Sequence, residues 1–132
     1  MSKIRGKDTL PEIIVRKYLF SQGFRYRLHW KKLQGKPDIV LPKYRTVIFV
    51  HGCFWHGHPM CKCAKLPATN TETWQRKISA NIERDRKNIE ILEKEGWHVI
   101  VVWQCEIRNK KDRETRLKSL SEEIRGDQIQ TL

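Results

Sequence analysis

At 132 residues with 39% hydrophobic content, the chain suits one modest core and one domain spanning 1–132. Lys and Arg number 27 against 15 acids, a formal charge of +12 with a pI near 9.8. A fold does not need that imbalance, whereas a polyanionic partner, nucleic acid above all, does. No apolar run approaches the ~20 residues of a membrane span. The basic residues are scattered along the chain, and "MSKIRGKDTLPE" has no apolar signal segment. The expectation is a cytoplasmic, nucleoid-associated protein whose four Cys are metal ligands or free thiols rather than disulfides.

"TLPEIIVRKYLFSQG" predicts a first helix, with Thr9 and Glu12 as a capping box, Pro11 in the first turn and Gly23 at the stop. Its apolar stripe is expected at Leu10, Ile13, Ile14 and Tyr18. "FRYRLH" (24–29) alternates apolar and basic residues as a half-buried strand does, with Arg25 and Arg27 outward. "KPDIVL" (36–41) and "TVIFV" (46–50) read as a buried hairpin turned by "PKYR". A long helix is expected from about Thr73 to Glu95, ended by Gly96, then a buried strand "WHVIVVW" (97–103). A last helix, about 110–126, carries Leu117, Leu120 and Ile124 on one stripe. The order α-β-β-β-α-β-α makes an α/β fold with a mixed sheet flanked by helices.

"HGCFWHGHPMCKC" (51–63) packs three His and three Cys around a Phe-Trp pair. Cys53, His58 and Cys61 have close ligand spacing, and Cys105, the remote Cys just past a buried strand, suits the fourth place of a tetrahedral zinc site. Spacing does not choose between Cys61 and Cys63, and a set of unrelated thiols is the bland alternative. His51 and His56 are left over beside a strand end, where imidazole can take or give a proton. Asp38 follows Gly-Lys-Pro at the mouth of a strand. An Asp there is commonly a turn residue; the sharper reading is a Mg2+ ligand for phosphodiester cleavage.

Pro-Asp at a strand start, followed by a second apolar strand, resembles the PD-(D/E)xK nuclease core, although "TVIFVHG" lacks the D/E-x-K. Closer still, "GKPDIV", "VIFVHGCFWHGH", "PATNTETWQRKI", "NIERDRK" and "GWHVIVVWQCEIR" together resemble the very short patch repair (Vsr) DNA mismatch endonucleases, from about Lys7 to Arg108. The resemblance implies a restriction-endonuclease-like core with a structural zinc site. It implies Asp38 and the backbone carbonyl of Val50 as Mg2+ ligands, and His56 as the catalytic histidine with Glu12 as its partner. His51 and Asp85 are implied as active-site supports, and Cys53, His58, Cys61 and Cys105 as Zn2+ ligands with Cys63 spare. Phe54, Trp55 and Trp74 match aromatics that intercalate beside a T:G mismatch, and Lys77 and Asn81 match residues near the mismatched pair. The implied partner is double-stranded DNA with a T:G mismatch, bound by a monomer that cooperates with mismatch-repair proteins and touches no membrane. Two departures stand out: the family's N-terminal arm extends further than this chain, and the tail after about Arg108 carries little specific match.

On a helical wheel Ile78, Ile82, Ile89 and Leu92 form one face, and Asp85 falls in its middle. A carboxylate there needs a partner; His51 is one candidate, and a structural pair with Arg is the other reading. Two functions remain open: a Mg2+-dependent nicking enzyme, and a zinc-stapled basic module that holds DNA without cutting it. A related nuclease of different specificity is a variant of the first. Only an enzyme requires Asp38, His56 and Mg2+ together.

Overall fold

A computed structural model of the protein describes residues 9–130, the side chains of Cys63 and of 127–130 excepted. The order of elements is the expected one. α1 (Leu10–Ser21) starts where Thr9 Oγ1 accepts the Glu12 N–H at 3.4 Å. Its buried stripe is not the expected one: Glu12, Val15 and Leu19 face inward, while Leu10 is 69% exposed and Ile13, Ile14 and Tyr18 flank the stripe. Residues spaced by three and four share one helix face, so the face that buries Val15 and Leu19 carries Glu12 in with them.

β1 (Arg27–Leu28) is far shorter than its predicted six residues, and both of its side chains are exposed. Among the described residues it forms the sheet edge, with β2 (Ile39–Leu41) beside it, antiparallel. From the alternating segment Phe24 enters the core and Tyr26, partly buried, packs against it, while Arg25 and Arg27 are exposed as expected. β2 turns through Pro42–Tyr44 and Arg45, in the left-handed region at φ +51°, into β3 (Thr46–His51). α2 (Thr71–Lys94), which starts two residues before the predicted Thr73, then carries the chain to β4 (His98–Trp103), parallel to β3. The four-stranded mixed sheet has the order β1-β2-β3-β4.

Successive strand residues point to opposite faces, and here both faces are covered. Ile39, Leu41, Ile48, Ile100 and Val102 pack with Val15 and Leu19 of α1 and Leu117, Leu120 and Ile124 of α3 (Lys110–Gln130). Val40, Val47 and Phe49 pack with Leu92 of α2 and Trp97. His51 shares the parity of Val47 and Phe49, so β3 delivers its imidazole to the α2 side. The parallel strands β3 and β4 end side by side, with His51 opposite Trp103. The loop after β3 and the Gln104–Ile107 turn after β4 therefore leave the sheet together. None of the helices among the described residues is long and apolar enough to cross a membrane.

Candidate active site and metal centre

At the β2–β3 edge the register Ile39↔Ile48, carried two residues on, would set Val50 against Pro37, and the ladder stops short of it. The Val50 N–H instead donates to the Asp38 carboxylate at 2.7 Å. Glu12, 3% exposed, arrives from α1 beside Asp38. Burial pushes the Asp38 carboxyl up from 3.8 to about 7; the Val50 amide opposes this, and the Glu12 carboxylate, a like charge, adds to it. His29, at the end of β1 with φ +49°, closes the group. Its N–H donates to the Asp38 carbonyl at 3.2 Å, and its Nε2 lies 3.4 Å from the Glu12 carboxylate. Sequence reasoning passed over His29; the only signal was a histidine at the end of the expected strand 24–29.

The second half of the site is built on α2. His56 Nδ1 lies 2.6 Å from Asp85 Oδ2. An ionised carboxylate only accepts, so Nδ1 carries the proton, and Nε2 of the neutral ring keeps its lone pair as a base. Two expected pairings are thereby corrected. Asp85 hydrogen-bonds His56 rather than His51, and the carboxylate that orients His56 is Asp85 rather than Glu12. The reason lies in α1, whose inward stripe aims Glu12 at Asp38 and His29. His51 stacks flat on His56, with ring centres 3.8 Å apart and planes 2° apart. Burial, reinforced by His56 across the stack, lowers the His51 pKa to about 4, with Asp85 opposing. His51 is thus neutral near pH 7, and its Nδ1 has no hydrogen-bond partner among the described residues.

Glu12, Asp38, Val50, His51, His56 and Asp85 all line one cleft of roughly 480 Å³, with Trp55, Lys36 and Arg84 at its wall. Gly57 lets α2 approach this closely. Its φ is +58°, and a Cβ there would sit 2.6 Å from Ile82 Cδ1 and 2.8 Å from Ile78 Cγ2. Next to the cleft, Phe54, Trp55 and Trp74 form an edge-to-face trio with ring centres 5.2 to 5.7 Å apart. Trp55 is 40% exposed, so the trio is not core. Asn81 Nδ2 donates to the Trp55 carbonyl at 2.9 Å, and Lys77 Nζ lies 5.2 Å from the Trp74 ring centre.

Cys53, His58, Cys61 and Cys105 place one donor atom each within 4.8 Å of one another. Cys53 is fully buried, and His58 lies flat on Trp103, ring centres 4.1 Å apart. Three sulfurs and one imidazole nitrogen suit a tetrahedral dication, whose donors stand about 3.8 Å apart when the metal–sulfur bond is about 2.3 Å. Burial and the neighbouring thiols raise Cys105 to about 12, and burial raises Cys53, so these two thiols keep their protons until a cation displaces them. The side chain of Cys63, the thiol expected to be spare, lies outside the described ones.

The sequence profile described as DNA mismatch endonuclease Vsr matches residues 1–63. A protein called type II nicking enzyme V.NmeAIP, from Neisseria meningitidis serogroup A, is 55% identical over 125 residues, covering 95% of this chain and 89% of that one. The DNA mismatch endonuclease Vsr of Escherichia coli K12 is 45% identical over 111 residues, covering 84% of this chain and 70% of that protein. The chain belongs to the Vsr DNA mismatch endonuclease family. Type II nicking enzyme V.XorIIP of Xanthomonas oryzae pv. oryzae is 49% identical over 120 residues. In this Vsr-family chain the relatives reach past the profile into the segment that carries α2, β4 and the Arg84 and Asp85 wall of the cleft.

The Asp38 shift has a measurable consequence. A carboxyl whose folded pKa lies above its unfolded one favours the protonated, low-pH state. Without divalent cation, Asp38 therefore costs stability increasingly as pH rises from about 4 to about 7, and no further above. His51 works the other way, its penalty fading as pH rises from about 4 to 6.5, so the wild-type profile is flattened. Asp38→Asn, which keeps an acceptor for the Val50 N–H, separates the two. Its stability relative to wild type should rise by about 2 kcal/mol between pH 4.5 and 7.5, discounting the full shift for partial exposure. Denaturant unfolding in Mg2+-free buffer measures this; a difference independent of pH would show that Asp38 does not titrate there.

Proposed function

We propose that the protein is a Mg2+-dependent, zinc-stabilised endonuclease with a restriction-endonuclease-like core, which nicks one strand of duplex DNA beside a T:G mismatch. That it is a DNA endonuclease of the mismatch family follows from its relatives. The observation that carries the finer reading is the convergence, in one cleft, of a buried carboxylate on the sheet edge and a histidine oriented by a second carboxylate. A module that only holds DNA needs neither.

Asp38 and the Val50 carbonyl would hold the Mg2+. Within a strand the N–H and C=O of one residue face the same side, and the Val50 N–H faces Asp38. Hard cations take such oxygen donors. Bound there, Mg2+ supplies charge neutralisation at the phosphate and a more acidic water. His56 Nε2 takes the proton of the attacking water, and Asp85 holds the ring and balances the imidazolium. Neutral His51, stacked on His56, fixes the plane of the ring and adds no repulsive charge. Glu12 crowds a second carboxylate against Asp38, which raises the negative potential a cation answers.

Zn2+ would sit among Cys53, His58, Cys61 and Cys105. Phe54, Trp55 and His56 lie between two of these ligands, so a closed zinc site holds the wedge and the catalytic ring in one rigid turn. Inserting aromatics between base steps costs a few kcal/mol, less beside a mismatch. Lys77 and Asn81 stand at the base of the wedge, close enough to meet the displaced pair.

The test uses T:G-containing and fully paired duplexes, with Mg2+ and with EDTA, resolving both strands. One strand of the T:G duplex alone should be cut, and only with Mg2+; equal cutting of paired duplex would overturn the substrate reading. In the same assay Trp55→Ala should melt near wild type, because Trp55 is 40% exposed, yet cut T:G and paired duplexes at similar low rates. Its affinity for paired DNA should hardly change, because that comes from Lys and Arg on phosphate. A variant that melts far lower and sheds its zinc would make Trp55 a structural residue.

A further inference from the structure

Among the described residues the cleft is lined by three carboxylates, Glu12, Asp38 and Asp85, yet its substrate is a polyanion. Two cationic side chains among those residues line it, Lys36 and Arg84. They are not equivalent. Lys36 is exposed on the loop that precedes β2, with φ +50°, and the described residues give its amine no fixed partner. Arg84 stands on α2, one residue before Asp85 and one turn after Asn81. Its Nη2 donates to Asn81 Oδ1 at 2.9 Å, while Asn81 Nδ2 donates to the Trp55 carbonyl.

The helix thus grips the loop twice. Asn81 holds the backbone of Trp55, and Asp85 holds the side chain of His56. Arg84 lies between the two grips and faces the cleft. Asn81 occupies one guanidinium nitrogen, and the remaining donors form a planar fork that matches two phosphate oxygens.

We infer that Arg84 binds a phosphate of the strand being cut, with Asn81 holding the guanidinium in place, so that wedge and phosphate clamp are set by one hydrogen-bonded unit. This rests on the nuclease reading above and adds to it a substrate-contacting residue. The physical need is clear: phosphodiester hydrolysis builds negative charge on the phosphorus oxygens, and a preorganised cation stabilises that charge more than the ground state. Because Asn81 bonds both the Trp55 carbonyl and Arg84, wedge and clamp keep a fixed relation, which ties cutting to insertion.

The test compares wild type with Arg84→Gln, Arg84→Lys and Arg86→Gln. Arg86 loses the same charge from the same helix, but it pairs with Glu83 and Glu90 and is absent from the cleft wall. Two quantities are read: single-turnover nicking of the T:G duplex, and the salt dependence of binding to a paired duplex. Arg84→Gln should nick about a hundredfold more slowly and lower the slope of log affinity against log salt by about 0.9, the loss of one phosphate contact. Arg84→Lys should recover part of the rate, and Arg86→Gln should match wild type in both. Nicking by Arg84→Gln within threefold of wild type, or a salt slope equal to that of Arg86→Gln, would overturn the inference. Failure of the wild type to nick would instead remove the substrate reading, and the binding slope would still decide Arg84.

Discussion

Asp38→Ala and Asp38→Asn should both lose nicking by roughly a thousandfold or more, a barrier increase of about 4 kcal/mol, while still binding duplex DNA. Asp38 is the carboxylate we assign to the catalytic cation, and the Val50 carbonyl alone is a weak site. The two variants differ in what else they remove. Alanine leaves the Val50 N–H without its acceptor, at a cost of about 1–3 kcal/mol if no water replaces it. Asparagine keeps an acceptor and removes the charge that burial and Glu12 penalise. Asparagine should therefore melt at or above wild type and alanine at or below it, with both inactive. DNA affinity should hold or tighten, because a negative charge near the phosphate is gone. Single-turnover nicking, melting and a binding titration on the same preparations measure all three. An Asp38→Asn protein that nicks within tenfold of wild type would sink the mechanism.

Cys105→Ala should have the largest effect on the fold. Cys105 stands in the turn after β4, and its three co-ligands lie in the loop after β3, so the closed site ties the two parallel strands together at their ends. Structural zinc is worth about 10–16 kcal/mol in small metal-dependent domains. The core here also covers both sheet faces, so only part of that is at stake. A loss of about 3–4 kcal/mol would lower the melting temperature by roughly 10–15 °C for a chain of this size, with zinc falling well below one per chain. The wedge and His56 lie inside the same loop, so nicking should fall with it. Cys63→Ala should keep its zinc and its melting temperature. A Cys105→Ala protein with full zinc, or a Cys63→Ala protein without it, would reassign the ligands.

Much of this protein could be read before folding was considered. Turn and cap chemistry placed α1, and apolar runs placed β2, β3 and β4, because those signals act over a few residues and need no distant partner. Sulfur and imidazole at ligand spacing pointed to a metal-binding cluster within 53–63 for the same reason, without choosing between Cys61 and Cys63, and a dense set of local motifs pointed to the family. What the sequence did not decide was which side chains meet. Whether Glu12 is a capping residue or a site residue turned on the face of α1 that the sheet buries; its amide takes the cap while its carboxylate goes to Asp38 and His29. Asp85 was legible as a carboxylate needing a partner, but choosing His56 over His51 required the close approach of α2 at Gly57. β1 shrank to two residues because alternation describes a half-buried surface, and an edge strand with one neighbour offers little of one. His29 was read only as the end of a strand, and Arg84 lay inside a family motif with no role of its own. They enter the site because strands and a helix far apart in the chain end at the same corner of the sheet. Local chemistry therefore determined the elements, the ligand types and the family. Packing of the two sheet faces decided the pairs, because a hydrogen bond or an ion pair is set by distances of a few tenths of an ångström that only the assembled core imposes.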